Sequence, residues 1–363
     1  MQIDMHYYAC FALAHLAGFP PEAAAIIANC SQYVDDSVKA EVKTAPDGSK
    51  LLVEETAHIT ADVKNVDPDD QRMTWLPFHF LPACEGDTFM AKLTCQALSK
   101  PFLDLLLRYE LIFPEIKFKL PFLGVVAHCL ADTFSHQGFS GVSSPLNKVV
   151  ASTIAVHNTD PVIRDLLGDK LAAFLTKHGD QGGLARILAS ETIEAITGAV
   201  GHGAVATYPD EPYLKWEYRQ EESGKTIKRN NQEIFLAGCQ ALLEFFQRFK
   251  KQCLPTASPL SNPTSYQQCE RAIQDILAIE HGHEERSQAW SDAVACGDLG
   301  PALAGGIPPY LGHRMDEERD CFTRSPNPSA IANRPLYGFY AAASLHRHYV
   351  LRELLPSWEI VVI

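Results

Sequence analysis

The sequence predicts a mainly α fold, a multi-helix bundle with a small β-hairpin insertion. Three observations carry this expectation. Apolar residues recur at helical spacing in several segments, proline and glycine punctuate the segment ends, and one short region between Ser37 and Asp70 switches to alternation. At 363 residues with 46% hydrophobic and 21% charged residues, the chain is long and apolar enough to bury a substantial core.

Taken in order, the spacing predicts helices over 5–17 and 21–33, the first closed by Gly18 and the pair Pro20-Pro21, which can open the second. The stretches AEVKTA and KLLVEETAHITADV around Asp47-Gly48 read as a β-hairpin insertion over about 38–66. TWLPFHFLP reads as an ordered, non-helical connection that carries His79. Helices are expected over 86–98, 101–112 and 120–136, two or three more between Asp160 and Val200, and an amphipathic one over Asn231–Lys251. Residues 254–264 read as a linker or long loop, and Gly305–Arg334 as irregular. The expected organisation is a helical metal-binding domain over 1–253 and a helical and irregular extension over 254–363 packed on it.

The net charge of −13, with 44 acidic against 31 basic residues, disfavours binding of duplex nucleic acid, which needs cationic side chains to displace counterions. A phosphoester substrate stays compatible, because bound metal ions can supply the positive charge. The ten cysteines contain no CxxC pair, and the MQIDMHYY start has neither a basic n-region nor an apolar h-region. These features predict reduced thiols, no classical signal peptide and a cytoplasmic location. No apolar run approaches the roughly twenty residues of a transmembrane segment.

The most informative segment is PFLGVVAHCLADTFSHQGFSG. His128, Asp132 and His136 fall at i, i+4 and i+8 of one helix that otherwise carries Phe122, Leu123, Val125, Val126, Leu130 and Phe134, so three ligand-type side chains share one inward face. Buried there, they need hydrogen bonds or a cation; a hydrogen-bonded His–Asp pair is the plain alternative. Asp4 and His6 in DMHYY reach one ion if the backbone is not yet helical, or Asp4 caps the first helix. Asp35 and Asp36 close the second helix, where the dipole disfavours anions; a bound cation or a solvated turn accounts for them. His79 is expected to be buried among its aromatic neighbours. His202, flanked by glycines, is expected to ligate beside Tyr208, Tyr213, Trp216 and Tyr218, which wall a pocket or pack a core. His58, His157, His281, His283, His346 and His348 are placed outside the site.

In their order these residues resemble the helical zinc-dependent phospholipase C and single-strand-specific nuclease superfamily, over roughly residues 1 to 140 and as far as 218, in an uncharacterised bacterial branch. The resemblance implies a di- or trinuclear centre. His6 stands for the first-helix His, Asp36 in YVDD for the Asp closing a later helix, His79 in FHF for the aromatic-loop His, and His128 with Asp132 for the H-x-x-x-D pair. Asp132 would then bridge two metals and His136 serve another. In the superfamily the processed N-terminal amine is a ligand, a role that Asp4 is expected to fill in this chain. The superfamily's His-x-x-x-Glu pair recurs only far downstream, so His202 is taken as its replacement, with Asp210, Glu191 or Glu194 as partner.

The functional expectation is a metal-dependent hydrolase of a small-molecule or lipid phosphoester, using two or three Zn2+ ions, with Mn2+ or Fe as alternatives. Asp132 and Asp35 are the expected catalytic carboxylates, Asp35 as base. Asp4, His6, Asp36, His79, His128, Asp132, His136 and His202 are the expected metal ligands. Two other classes stay open: a non-haem iron or iron–manganese redox enzyme in a helix bundle, and a structural metal-binding protein.

Overall fold

A computed structural model describes residues 1–58, 67–157, 159, 201–253, 265–325 and 327–362. It is mainly helical, with a two-stranded and a three-stranded sheet among the described residues. The N-terminal helix begins as a π-helical turn, Asp4–Ala9, and continues as α1, Cys10–Leu16. Pro21 opens α2, Pro21–Asp36, where its fixed φ suits a first turn and its missing N–H costs nothing. This helix runs three residues beyond the expected end. Asp35 and Asp36 therefore lie in its last turn, about 100° apart around the axis.

The hairpin forms as expected up to residue 58. Strands β1, Glu41–Thr44, and β2, Lys50–Val53, pair antiparallel with Glu41 opposite Val53, and Gly48 takes φ 87° in the turn. Its expected continuation over 59–66 lies outside the described residues.

The next element corrects the sequence reading. Residues 74–78 of the segment expected to be a non-helical connection form the end of helix α3, Pro68–Phe78, while 79–82 lie outside it as expected; the helix is capped by Asp67, whose carboxylate accepts from the backbone N–H of Asp69 at 2.9 Å. Pro77 inside this helix leaves the Met73 carbonyl without its helical donor. The Arg347 Nε donates to that carbonyl at 2.9 Å, and the Pro77 carbonyl accepts from His346 Nε2 at 2.7 Å. The helix thus ends at Phe78 and delivers His79 as its C-cap.

The expected helix over 86–98 shrinks to α4, Phe89–Lys92. Cys95 instead pairs by backbone with the turn after α6, its N–H donating to the Phe139 carbonyl at 2.8 Å, and Leu98 takes φ 49°. Helix α5, Lys100–Ile112, begins one residue before its expected start. Helix α6, Lys119–Ser135, runs through the core with every residue from Pro121 to Ser135 buried. A helix buried all round has to be apolar apart from groups that find partners inside.

Between α6 and the next long helix lies an antiparallel sheet that the sequence reading did not anticipate: β3, Val149–Val156, β4, Lys215–Gln220, and β5, Thr226–Asn230, in the order β3-β4-β5. Tyr208, Tyr213, Trp216 and Tyr218 join Phe80 and Phe139 in a small second core beneath it. The helices expected over 160–200 lie outside the described residues, as does the linker 254–264.

Helix α7, Asn231–Cys253, extends the expected amphipathic helix by two residues. Helices α8, Tyr266–Leu277, α9, His283–Cys296, α10, Gly312–Cys321, α11, Pro335–His348, and the short α12, Leu355–Ser357, follow. α10 places a helix inside the stretch expected to be irregular. Helices α2, α7 and α11 pack around α6, and residues from both ends of the chain share one main core. No described helix is long and apolar enough to cross a membrane.

Candidate metal centre

Asp132 is the hub. It is fully buried, and five basic groups converge on it from three separate stretches of chain. Its Oδ1 lies 2.7 Å from the Met1 amine and 3.1 Å from His6 Nε2. Its Oδ2 lies 3.0 Å from His79 Nδ1, 3.1 Å from His128 Nε2 and 3.6 Å from His136 Nδ1. Burial alone would raise the Asp132 carboxyl, but His136, the Met1 amine, His128 and His6 hold it well below the usual carboxylate range. In return, despite a desolvation penalty that acts the other way, Asp132, Asp210 and Asp35 raise the Met1 amine to about 11.

Four histidines are held the same way. His128 Nδ1 donates to the Ser31 carbonyl at 2.9 Å, His79 Nε2 to the Thr56 carbonyl at 2.9 Å, His136 Nδ1 to the His79 carbonyl at 2.8 Å, and His202 Nδ1 to the Ala206 carbonyl at 2.7 Å. A carbonyl only accepts, so the nitrogen facing it carries the proton and the opposite nitrogen of the neutral ring presents a lone pair. Burial depresses His128 and His202 to about 4, which keeps them neutral near pH 7.

The lone pairs therefore meet. His79 Nδ1 and His128 Nε2 stand 3.2 Å apart, both against Asp132 Oδ2. Asp35 Oδ1 is 3.8 Å from each of those nitrogens. His6 stacks on His128 with ring centroids 3.9 Å apart, and neither of its buried ring nitrogens makes a hydrogen bond. Burial, then the charge of the Met1 amine, lowers it to about 4.

Further along, His136 Nε2 lies 3.6 Å from Asp210 Oδ1 and His202 Nε2 3.5 Å from Asp210 Oδ2. Phe80 stacks on His136 with centroids 4.4 Å apart, and Gly201 lets the backbone pass where a Cβ would come within 2.6 Å of the Phe80 ring. Three groups of ligand atoms result, each spanning no more than 4.8 Å: His6, Asp35 and His128; His79, His128 and Asp132; His136, His202 and Asp210. Neutral imidazoles with their far N–H on a carbonyl, mixed with carboxylates, fit zinc and manganese.

The geometry brings together six of the expected ligands, His6, His79, His128, Asp132, His136 and His202, along with Asp35. Two expected ligands do not join them. Asp4 is buried but turns to Arg286, accepting from its Nε at 2.5 Å. Asp36 is exposed and accepts from the Tyr310 hydroxyl at 2.5 Å; on the last turn of α2 only Asp35 faces inward. Of the candidate partners for His202, Asp210 is the one in place, while Glu191 and Glu194 lie outside the described residues. The Met1 amine stands where Asp4 was expected, and sequence reasoning missed it; only the superfamily resemblance pointed towards a terminal amine.

Residues 1–354 match a family described as "Family of unknown function (DUF6765)", and the chain belongs to that family. No curated protein and no solved structure matches it.

Proposed function

We propose that this protein is a metal-dependent hydrolase acting on a small-molecule or lipid phosphoester. The observation that carries the reading is the convergence of His79 Nδ1, His128 Nε2 and Asp132 Oδ2 within 3.2 Å of one another, all three acceptors when both rings are neutral. Buried lone pairs in that arrangement repel unless a cation lies between them. The orphaned ring nitrogens of His6 add a second buried demand for a cation.

His6 and Asp132 would hold one ion, Asp35, His79, His128 and Asp132 another, and His136, His202 and Asp210 a third, with zinc the best fit to this donor set and manganese or iron the alternatives. Bound there, such ions supply Lewis acidity for a phosphoryl oxygen and water acidified to near neutrality. Asp132 positions three imidazoles. Asp35, about a third exposed, is the one carboxylate of the cluster at an open edge, where it can accept a proton from incoming water. A donor set of five histidines with three aspartates also departs from the glutamate-dominated sets of di-iron bundles, which is why hydrolysis is preferred to redox chemistry.

The test is elemental analysis of protein purified without added metal, for the wild type, His128→Ala and Asp132→Ala, followed by rate measurements on bis(p-nitrophenyl) phosphate and p-nitrophenyl phosphate. Two or three zinc or manganese ions per chain, reduced in both variants together with phosphoester cleavage, support the proposal. Bound iron with no phosphoester turnover would favour a redox enzyme. A metal-free protein whose stability is unchanged in both variants would end the metal reading.

A further inference from the structure

We propose a second, separate divalent-cation site built from Glu55, His58 and Asp70, taking zinc or manganese and serving to fix the segment that orients His79. The three side chains each offer one ligand atom within 4.8 Å of the others. Glu55 and His58 are buried, and Asp70 is half-buried in the first turn of α3. Glu55 Oε1 lies 3.1 Å from His58 Nδ1, and His58 Nε2 forms an ion pair with Asp70 Oδ2.

A purely hydrogen-bonded explanation requires an imidazolium that donates from both nitrogens, one to each carboxylate. The structure departs from that. His58 Nε2 is buried and makes no hydrogen bond, although it faces the Asp70 carboxylate. In a neutral ring whose Nδ1 proton goes to Glu55, Nε2 turns a buried lone pair towards the Asp70 carboxylate, and two such acceptors are reconciled by a cation drawn between them. One imidazole and two carboxylates, with room left for water, suit zinc or manganese. The Arg347 guanidinium meets Glu54 Oε2 and the backbone carbonyls of Glu55 and Met73.

The placement gives the site a role. Asp70 begins α3 and His79 caps its end, about 13 Å further along at the 1.5 Å rise of a helix. Between Glu55 and His58 stands Thr56, whose carbonyl accepts the His79 Nε2 proton at 2.9 Å. An ion clamping Glu55 and His58 to Asp70 would hold that carbonyl in place, and so hold the His79 lone pair towards Asp132. The ion acts through Thr56, as a positioning element.

The decisive experiment is zinc stoichiometry by mass spectrometry after chelation, reconstitution with Zn2+ and desalting, on the full chain. His58→Ala and Asp70→Asn are each expected to lose one equivalent relative to wild type and to keep the remainder. A His128→Ala/Asp132→Ala double variant is expected to keep the equivalent at Glu55, His58 and Asp70 beside any held by His136, His202 and Asp210, and to lose one equivalent when His58→Ala is added; this arm supports the site even if the larger centre is misread. Far-UV circular dichroism checks the fold, and Asp70→Asn, at a half-exposed position of unchanged shape, decides if His58→Ala does not fold. Wild-type zinc content in folded Asp70→Asn, or none in the double variant, would overturn the proposal.

Discussion

Gly124 faces Ile27 so closely that a Cβ built on it would stand 2.4 Å from the Ile27 carbonyl oxygen, 2.7 Å from the Cys30 Cβ and 3.0 Å from the Ser31 nitrogen. This contact sets the distance between α2 and α6, one turn ahead of His128, whose Nδ1 bonds the Ser31 carbonyl at 2.9 Å. The same approach that packs the two helices therefore fixes which nitrogen of His128 points at Asp132.

Gly124→Ala tests that link. Alanine gains up to about 1 kcal/mol of helix propensity over glycine, but here overpacking costs about 1–3 kcal/mol, because the groups it meets are largely backbone. The packing term wins. The expected result is a lower urea midpoint and reduced metal content, since separating the helices pulls Ser31 away from His128. Stability at or above wild type would show that α2 and α6 are free to move apart.

Chelation is the second test. A ligand that binds only the folded state adds about 4 kcal/mol at a thousand times its dissociation constant, so EDTA should lower the melting temperature of the wild type. In Asp132→Asn, which has lost the shared carboxylate, the same treatment should change much less. Equal EDTA shifts in both proteins would place the stabilising metal elsewhere.

Much of this arrangement is written in local spacing. His128, Asp132 and His136 are legible because one helix orders them at i, i+4 and i+8 among mostly apolar neighbours. Asp35 was legible only as half of a pair, since choosing it over Asp36 requires knowing that α2 runs to its very last residue. Helix α3 was hidden by Pro77, and what rescues it is Arg347, some 270 residues away, donating to the Met73 carbonyl. Strand β3 was hidden because its exposure pattern lacks clean alternation and its partner β4 lies some sixty residues downstream. The Met1 amine and Asp210 reach the centre through tertiary folding, for which periodicity carries no signal.

The third prediction concerns the support of the N-terminal turn. Arg286 is fully buried and donates to Asp4 at 2.5 Å, to the His281 carbonyl at 2.5 Å and to Gln2 Oε1 at 3.2 Å. Arg286→Met leaves the buried Asp4 carboxylate without this partner, a change that costs about 3–5 kcal/mol. Because Met1 and His6 flank the anchored residues, metal affinity should fall as well. Denaturation by urea alongside metal content checks both; loss of stability with full metal retention would mean that the anchor serves the fold alone.

The last prediction is a pH dependence at His346, remote from the metal centre in role. The ring is buried, takes the Tyr109 hydroxyl on Nδ1 at 2.8 Å and donates from Nε2 to the Pro77 carbonyl at 2.7 Å. Burial lowers it from its ordinary value of 6.5 to about 4, so it is neutral in the folded protein where the unfolded chain is already charged. Above pH 6.5 both states are neutral and its contribution is complete. As pH falls from 6.5 to 4 the unfolded chain binds a proton that the folded chain refuses, and stability drops by about 1.4 kcal/mol per pH unit, about 3 kcal/mol in all. His346→Gln keeps an acceptor and a donor but has no proton to take up. Urea midpoints of the two proteins, both held metal-free in EDTA at pH 7, 6, 5 and 4, should converge as pH falls, the other buried histidines cancelling in the comparison. Parallel curves would mean that His346 can accept a proton inside the folded protein.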